Sequence, residues 1–165
     1  MLDVALHLKD YASGLDAAAK IDTFGRSAFN RFYYACYWEL RTTLPNIHKN
    51  WLKIGHKALP DYLKSSVKKE SIEQLEHLRK KSLVTAKEYG RLRGRIEHSI
   101  MEMAKLLTAG YAIRCIADYS PEFKAELVNG ALILNNHKLS TIETLHSEMR
   151  KHVGILSECR IILGL

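Results

Sequence analysis

No cysteine pair in this chain has the spacing of a redox or metal-binding motif. Cys36, Cys115 and Cys159 are odd in number, far apart and set among apolar neighbours in helical patterns. That is the setting of buried thiols in a reducing compartment, and it excludes a disulfide scaffold. No apolar run is long enough to cross a bilayer. The start, MLDVALHLKDY, mixes acids and bases within ten residues, so no secretory signal is read there. A cytoplasmic protein without membrane association is expected. The chain also has no glycine-rich phosphate loop, no G-x-S-x-G and no H-E-x-x-H. Its eight histidines are scattered, so neither a metal nor a cofactor is expected. No internal repeat or low-complexity segment is present.

What is there suits a globular fold. With 165 residues, 47% hydrophobic and 26% charged, the chain is long enough to bury a core and reads as one domain, residues 1–165. The net charge is +7 and the excess is local. From Arg41 to Arg95 bases outnumber acids about three to one, and the remainder is close to balanced. A basic surface of this kind suits a polyanion, RNA or DNA. A solvated face or a dock for an acidic partner would give the same pattern.

The pattern of apolar residues is helical almost throughout. The longest run, Thr85 to Tyr119, contains no proline and ends before Pro121. Ile96, Ile100, Met103, Leu106 and Leu107 recur on it at helical steps. Leu2 to about Leu15 reads as a short amphipathic helix. Asp22 or Thr23 would cap a second helix, Phe24 to Leu44, which Pro45 ends. Phe29, Phe32, Tyr33, Tyr34, Tyr37 and Trp38 make that helix apolar on several sides, as expected of a core element.

A polar connection with His48, Trp51 and His56 follows, then a short helix from Lys57 to Ser65 with Pro60 in its first turn. SSVKKES breaks the pattern. Ser71 and Gln74 form a capping box before the next helix. Asn129-Gly130 between short apolar runs predicts a β-hairpin. Ser140 and Glu143 form a capping box for a last helix, Thr141 to Ile162, with Ile142, Leu145, Met149, Val153 and Leu156 inside. The fold class is therefore all-α, an antiparallel bundle of four to six helices with a small β-hairpin before the last.

The chemistry open to these residues is narrow. Cutting RNA without a metal needs a base for the 2′-hydroxyl, a cation for the developing charge and an acid for the leaving oxygen. Histidine and arginine suit those tasks. Arg93 and His98 are separated by four residues, and Arg91 and His98 by six. Arg41 and His48 are also separated by six. From spacing alone, an ordinary surface or core histidine is the stronger reading of His98.

Several segments together resemble a known family. Arg31, Tyr33, Tyr34, Ala35 and Tyr37 lie in SAFNRFYYACYWELRTTL, which resembles the signature helix of the HEPN superfamily. GHKAL (Gly55 to Leu59) is similar to the H-K-x-L that often follows in small bacterial members. IRCIADYSPE (Ile113 to Glu122) is similar to the R-x-x-A-D-Y that closes the penultimate long helix in one uncharacterised branch of the family. The resemblance spans roughly Ile21 to Leu163.

It implies a helical bundle of four or more helices and a homodimer with a groove at its two-fold. It also implies a metal-independent endoribonuclease using arginine, four to six residues, then histidine. Such proteins serve as toxins beside a nucleotidyltransferase antitoxin, or in antiviral defence. In the segment where that motif is expected, Arg114 is followed after four residues by Tyr119, with Asp118 beside it. Tyrosine, with a pKa of about 10, is a poor base at neutral pH. Arg93 and His98 lie about 30 Å earlier if the run is a straight helix.

Three readings follow. In the first, the chain is a ribonuclease: His98 is the general base or acid, Arg93 holds the phosphate, and Arg91 and Arg95 bind the RNA backbone. In the second, it is a non-catalytic module of the same fold. That module binds RNA, a nucleotide or a partner nucleotidyltransferase through Arg114, Asp118, Tyr119 and the basic stretch, and Tyr119 is also open to nucleotide transfer. In the third, it is a helical interaction subunit of a larger assembly, with no nucleic-acid role. The partners the resemblance implies are a nucleotidyltransferase antitoxin or a subunit of a defence complex.

Overall fold

A reciprocal pair of side chains starts the longest helix. In the computed structural model, which describes residues 1–43 and 54–163, the Thr85 N–H and hydroxyl donate to Glu88 Oε2 at 3.0 and 2.7 Å, and the Glu88 N–H donates to Thr85 Oγ1 at 3.2 Å. This T-x-x-E capping box satisfies orphan donors of the first turn. It was not singled out from the sequence. The helix it begins is Ala86–Tyr119, the extent expected from the missing proline and the apolar period. Ile96, Ile100, Met103 and Leu107 are buried along it.

The fold is helical with one small sheet, in the order α1 (Leu2–Ser13), α2 (Ala18–Thr43), α3 (Leu59–Tyr62), a π turn (Leu63–Val67), α4 (Lys68–Lys80), α5 (Ala86–Tyr119), β1 (Ala125–Val128), β2 (Ala131–Leu134), β3 (His137–Lys138) and α6 (Leu139–Leu163). It divides into two compact units. One holds residues 1–38 and 108–148, the other residues 39–107 and 149–165, so α2, α5 and α6 contribute to both.

Three sequence expectations are corrected. First, α2 begins at Ala18, several residues before Phe24. Ala17, Ala18 and Ala19 are strong helix formers and need no cap at Asp22. Second, SSVKKES does not break the chain into two helices. Leu59, Leu63, Val67 and Leu75 stay buried at four- and eight-residue steps, and the π turn carries the helical backbone from α3 into α4. Ser71 is therefore inside a helix, its hydroxyl donating to the Val67 carbonyl at 2.8 Å, and does not cap one. Third, Glu143 of the proposed second box reaches Lys9 Nζ at 2.7 Å. The expected end of α2 and the residues His48 and Trp51 lie outside the described residues.

α4 ends in a Schellman motif without glycine. Ser82 takes a φ of 59°, its N–H bonds the Arg79 carbonyl, and the Leu83 N–H bonds the Leu78 carbonyl.

In the first unit the core joins α1, α2, the end of α5, the sheet and the start of α6. It contains Ala5, Ala12, Phe29, Phe32, Ile113, Ala117, Leu132, Leu134 and Ile142. The hairpin turns at Asn129 and Gly130, with φ of 51° and 76°, which pairs Val128 with Ala131. A second turn with both central residues at positive φ, Asn135 and Asn136, adds β3 and makes three antiparallel strands. The third strand was not expected. Its turn carries no glycine, only asparagines, which tolerate the left-handed region.

Gly25 on α2 sits where this sheet comes closest. A Cβ there would lie 2.9 Å from Ala125 Cβ and 3.2 Å from Leu132 Cδ2. Ala125 Cβ is tied to strand backbone and cannot swing away. Gly25→Ala should therefore lower stability by about 1–3 kcal/mol, read from the denaturant midpoint. Gly94→Ala on α5, where nothing lies within 4 Å, should raise it by about 0.5–1 kcal/mol.

In the second unit the buried apolar residues are Leu40, Leu59, Leu63, Val67, Leu75, Leu92, Ile96, Ile100, Met103, Leu107, Met149, Val153 and Leu156. Of the inner face expected of α6, Ile142, Met149, Val153 and Leu156 are buried and Leu145 is partly buried. Among the described residues no helix is long and apolar enough to cross a membrane.

Candidate functional site

α2 carries two polar rows beside its buried aromatic residues. Asp22, Arg26 and Asn30 lie at four-residue steps, and Thr23, Ser27 and Arg31 form the row beside them. Both rows line a cleft of about 490 Å³, closed on its other side by Ala117 and Asp118 near the end of α5. All eight lining residues belong to the first unit.

Two of these residues are occupied in building the wall. Arg26 donates through Nη1 to the Ser120 carbonyl at 3.1 Å and to the Phe123 carbonyl, and through Nη2 to the Ile116 carbonyl at 3.2 Å. A cation thus closes the C-terminal end of α5, where the Ile116 and Ser120 carbonyls also accept the Ser120 and Phe123 N–H groups at 3.2 Å. Asp22 Oδ1 accepts the first N–H of β1, from Ala125, at 2.8 Å, and Lys124 Nζ lies 3.4 Å from Oδ2. The expected helix cap is instead a strand anchor.

Around Asp118, which lines the cleft, the chemistry is richer. Asn30 Nδ2 donates to Asp118 Oδ1 at 2.7 Å. Arg114 Nε lies 2.7 Å from Asp118 Oδ2, but its N–H is not aimed at that oxygen, so the contact is an ion pair without a hydrogen bond. The Arg114 guanidinium sits 5.0 Å from the centre of the Tyr119 ring and 6.0 Å from that of Tyr34. Burial disfavours its charge, yet the hydrogen bond with Tyr119 and the Asp118 carboxylate outweigh that, and its pKa rises above the usual arginine value. Tyr119 is 68% exposed. Arg31 is exposed, with no hydrogen-bond or ion-pair partner among the described residues. Behind them the Tyr33 phenol is buried, and burial followed by the neighbouring Tyr34 pushes its pKa up, so it stays neutral.

The structure therefore brings together three of the residues singled out in the sequence: Arg114, Asp118 and Tyr119. It adds Asn30 and Arg31, which sequence reasoning did not assign to a site. Their signal was available as the polar rows on an aromatic helix.

The other candidates belong to the second unit. Arg93 is exposed, its Nε 3.6 Å from Glu97 Oε1 and its Nη1 3.4 Å from the Tyr89 hydroxyl. Arg95 Nη2 pairs with Glu158 Oε2 at 2.8 Å. Arg91 and His98 are exposed. The His98 ring lies 5.6 Å from that of buried His152, whose Nδ1 is 3.4 Å from Ser99 Oγ. His98 lies five helical steps beyond Arg93, which is roughly 140° of rotation, so they face different sides of α5. Arg91 and Arg95, at seven and three residues from His98, share its side. Much of the basic charge nearby is paired, Lys64 with Asp61 and Arg79 with Glu76 among others. Such exposed pairs contribute about 0–1 kcal/mol each.

Among the described residues no group of three or more histidine, cysteine or acidic side chains could hold a metal. Comparison with known proteins returned no match, whether to family models, to curated proteins or to solved structures.

Proposed function

We propose that this chain binds single-stranded RNA, or a nucleotide within it, through the α2–α5 cleft, as a module of the HEPN type serving a toxin–antitoxin or antiviral defence system. One observation carries the reading. Asp118 lines a cleft that also presents the unpaired cation Arg31, and beside it Arg114 is held against both Asp118 and the exposed Tyr119 ring. An exposed aromatic offers a base a stacking face, and a free guanidinium grips a phosphate. The cleft falls within the ~300–1,000 Å³ of small-molecule sites, room for one nucleotide. No histidine lines it, so the cleft supports binding more than cleavage. By the same resemblance the working form is a homodimer, and a nucleotidyltransferase is its natural protein partner.

Anisotropy of a labelled single-stranded RNA tests the reading. Binding should be present with EDTA and weaken steeply as salt rises. Affinity that ignores salt would favour a helical interaction subunit.

A second reading has its own support. Exposed His98, with Arg91 and Arg95 on its side of the helix and a second imidazole 5.6 Å away, is a plausible acid–base centre for metal-independent RNA cleavage. If it operates, His98→Ala should lower cleavage in EDTA by about 10²–10⁴-fold with the fold intact by circular dichroism. Cleavage retained in that variant would remove His98 from the chemistry.

A further inference from the structure

The polar chemistry of the cleft points to one kind of base. By formal count the lining residues carry two acids, Asp22 and Asp118, and two arginines, Arg26 and Arg31. Arg26 and Asp22 are spent on the backbone of the turn after α5 and of β1. One free cation, Arg31, and one carboxylate, Asp118, remain in the lining of the cleft. Such a site suits a single phosphate and repels a triphosphate.

The carboxylate itself is the selective element. Each carboxylate oxygen has two acceptor positions. Asn30 takes one on Oδ1, and Arg114 lies against Oδ2. One position remains on each oxygen, and Asp118 lines the cleft. Two parallel acceptors match two parallel donors. Among the four RNA bases only guanine presents such a pair on its pairing edge, N1–H beside the N2 amine. Adenine and cytosine set a ring-nitrogen acceptor beside their amine. Uracil flanks its single N–H with two carbonyl oxygens. A carboxylate repels each of those acceptors.

We infer that the cleft selects a guanine nucleotide in single-stranded RNA, with Asp118 accepting from the guanine edge, Tyr119 stacking on the base and Arg31 holding its phosphate. Asn30 and Arg114 act as positioning residues that fix the carboxylate. The inference rests on the RNA-binding reading above.

Uridine octamers carrying one central guanosine, adenosine or inosine test it, by anisotropy on the full chain. The guanosine octamer should bind about tenfold tighter than the adenosine one, in line with a good bidentate pair. Inosine, which lacks the N2 amine, should fall between them. Asp118→Asn should reduce the guanosine preference to less than about twofold. The inosine comparison changes no protein atom, so it stands even where the variant folds poorly. Equal, salt-sensitive binding of guanosine and adenosine octamers would overturn guanine selection alone. Inosine binding as tightly as guanosine would overturn the two-donor contact. No binding of any octamer would overturn the RNA reading, and this inference with it.

Discussion

Arg26→Ala should cost about 2–4 kcal/mol of stability, more than a typical polar substitution, because hydrogen bonds from a charged donor contribute about 1.5–3 kcal/mol each and three carbonyls would lose theirs together. The side chain is 15% exposed and reaches carbonyls on both sides of the α5 terminus, at Ile116, Ser120 and Phe123. Lysine should restore less than half of the loss. Its ammonium is a single point on a flexible stem and cannot span the fork of acceptors that the guanidinium fills. Urea denaturation of Arg26→Ala and Arg26→Lys beside the parent measures both values. A loss below about 0.5 kcal/mol for the alanine variant, the size of an ordinary surface change, would mean that the turn holds itself.

Tyr119→Ala should weaken single-stranded RNA binding by about 10–100-fold, the range for removing one stacked base platform. The ring is exposed and contributes little to the core, so stability should barely move. Tyr119→Phe separates two roles. It keeps the ring and loses the hydroxyl that helps raise the Arg114 pKa. If stacking dominates, phenylalanine should bind within about threefold of the parent, a change of less than 1 kcal/mol. If the hydroxyl matters through Arg114, phenylalanine should behave like alanine. RNA affinity unchanged in both variants would remove Tyr119 from the site.

How far the sequence disclosed this depended on whether the deciding contact was local. The course of α5 was legible because its apolar period, the absence of proline and Pro121 beyond its end are all local. The Asn129-Gly130 turn was legible for the same reason. The start of α2 was misread because Asp22 looks like a cap. Its partner is an N–H 103 residues away, which no local pattern shows. The break expected at SSVKKES failed because Leu63 and Val67 continue a buried row through a π turn whose polar residues mask the period.

The site divides in the same way. Arg114, Asp118 and Tyr119 stand within six residues of one helix and could be grouped by eye. Asn30 is 88 residues from the Asp118 it holds, and Arg31 meets the cleft only because two helices pack. Arg93 and His98 show the converse. Their spacing suggested a pair, but helix rotation sets them on different sides.

The most direct test follows from Arg31, the free cation of the cleft. RNA affinity should be measured across a series of salt concentrations for the parent and for Arg31→Ala, and the logarithm of the binding constant plotted against the logarithm of salt. Loss of one phosphate contact on a single strand should make the slope shallower by about 0.7, with affinity falling at every concentration. Parallel lines of equal affinity would show that RNA does not lie in this cleft and would contradict the function proposed for it.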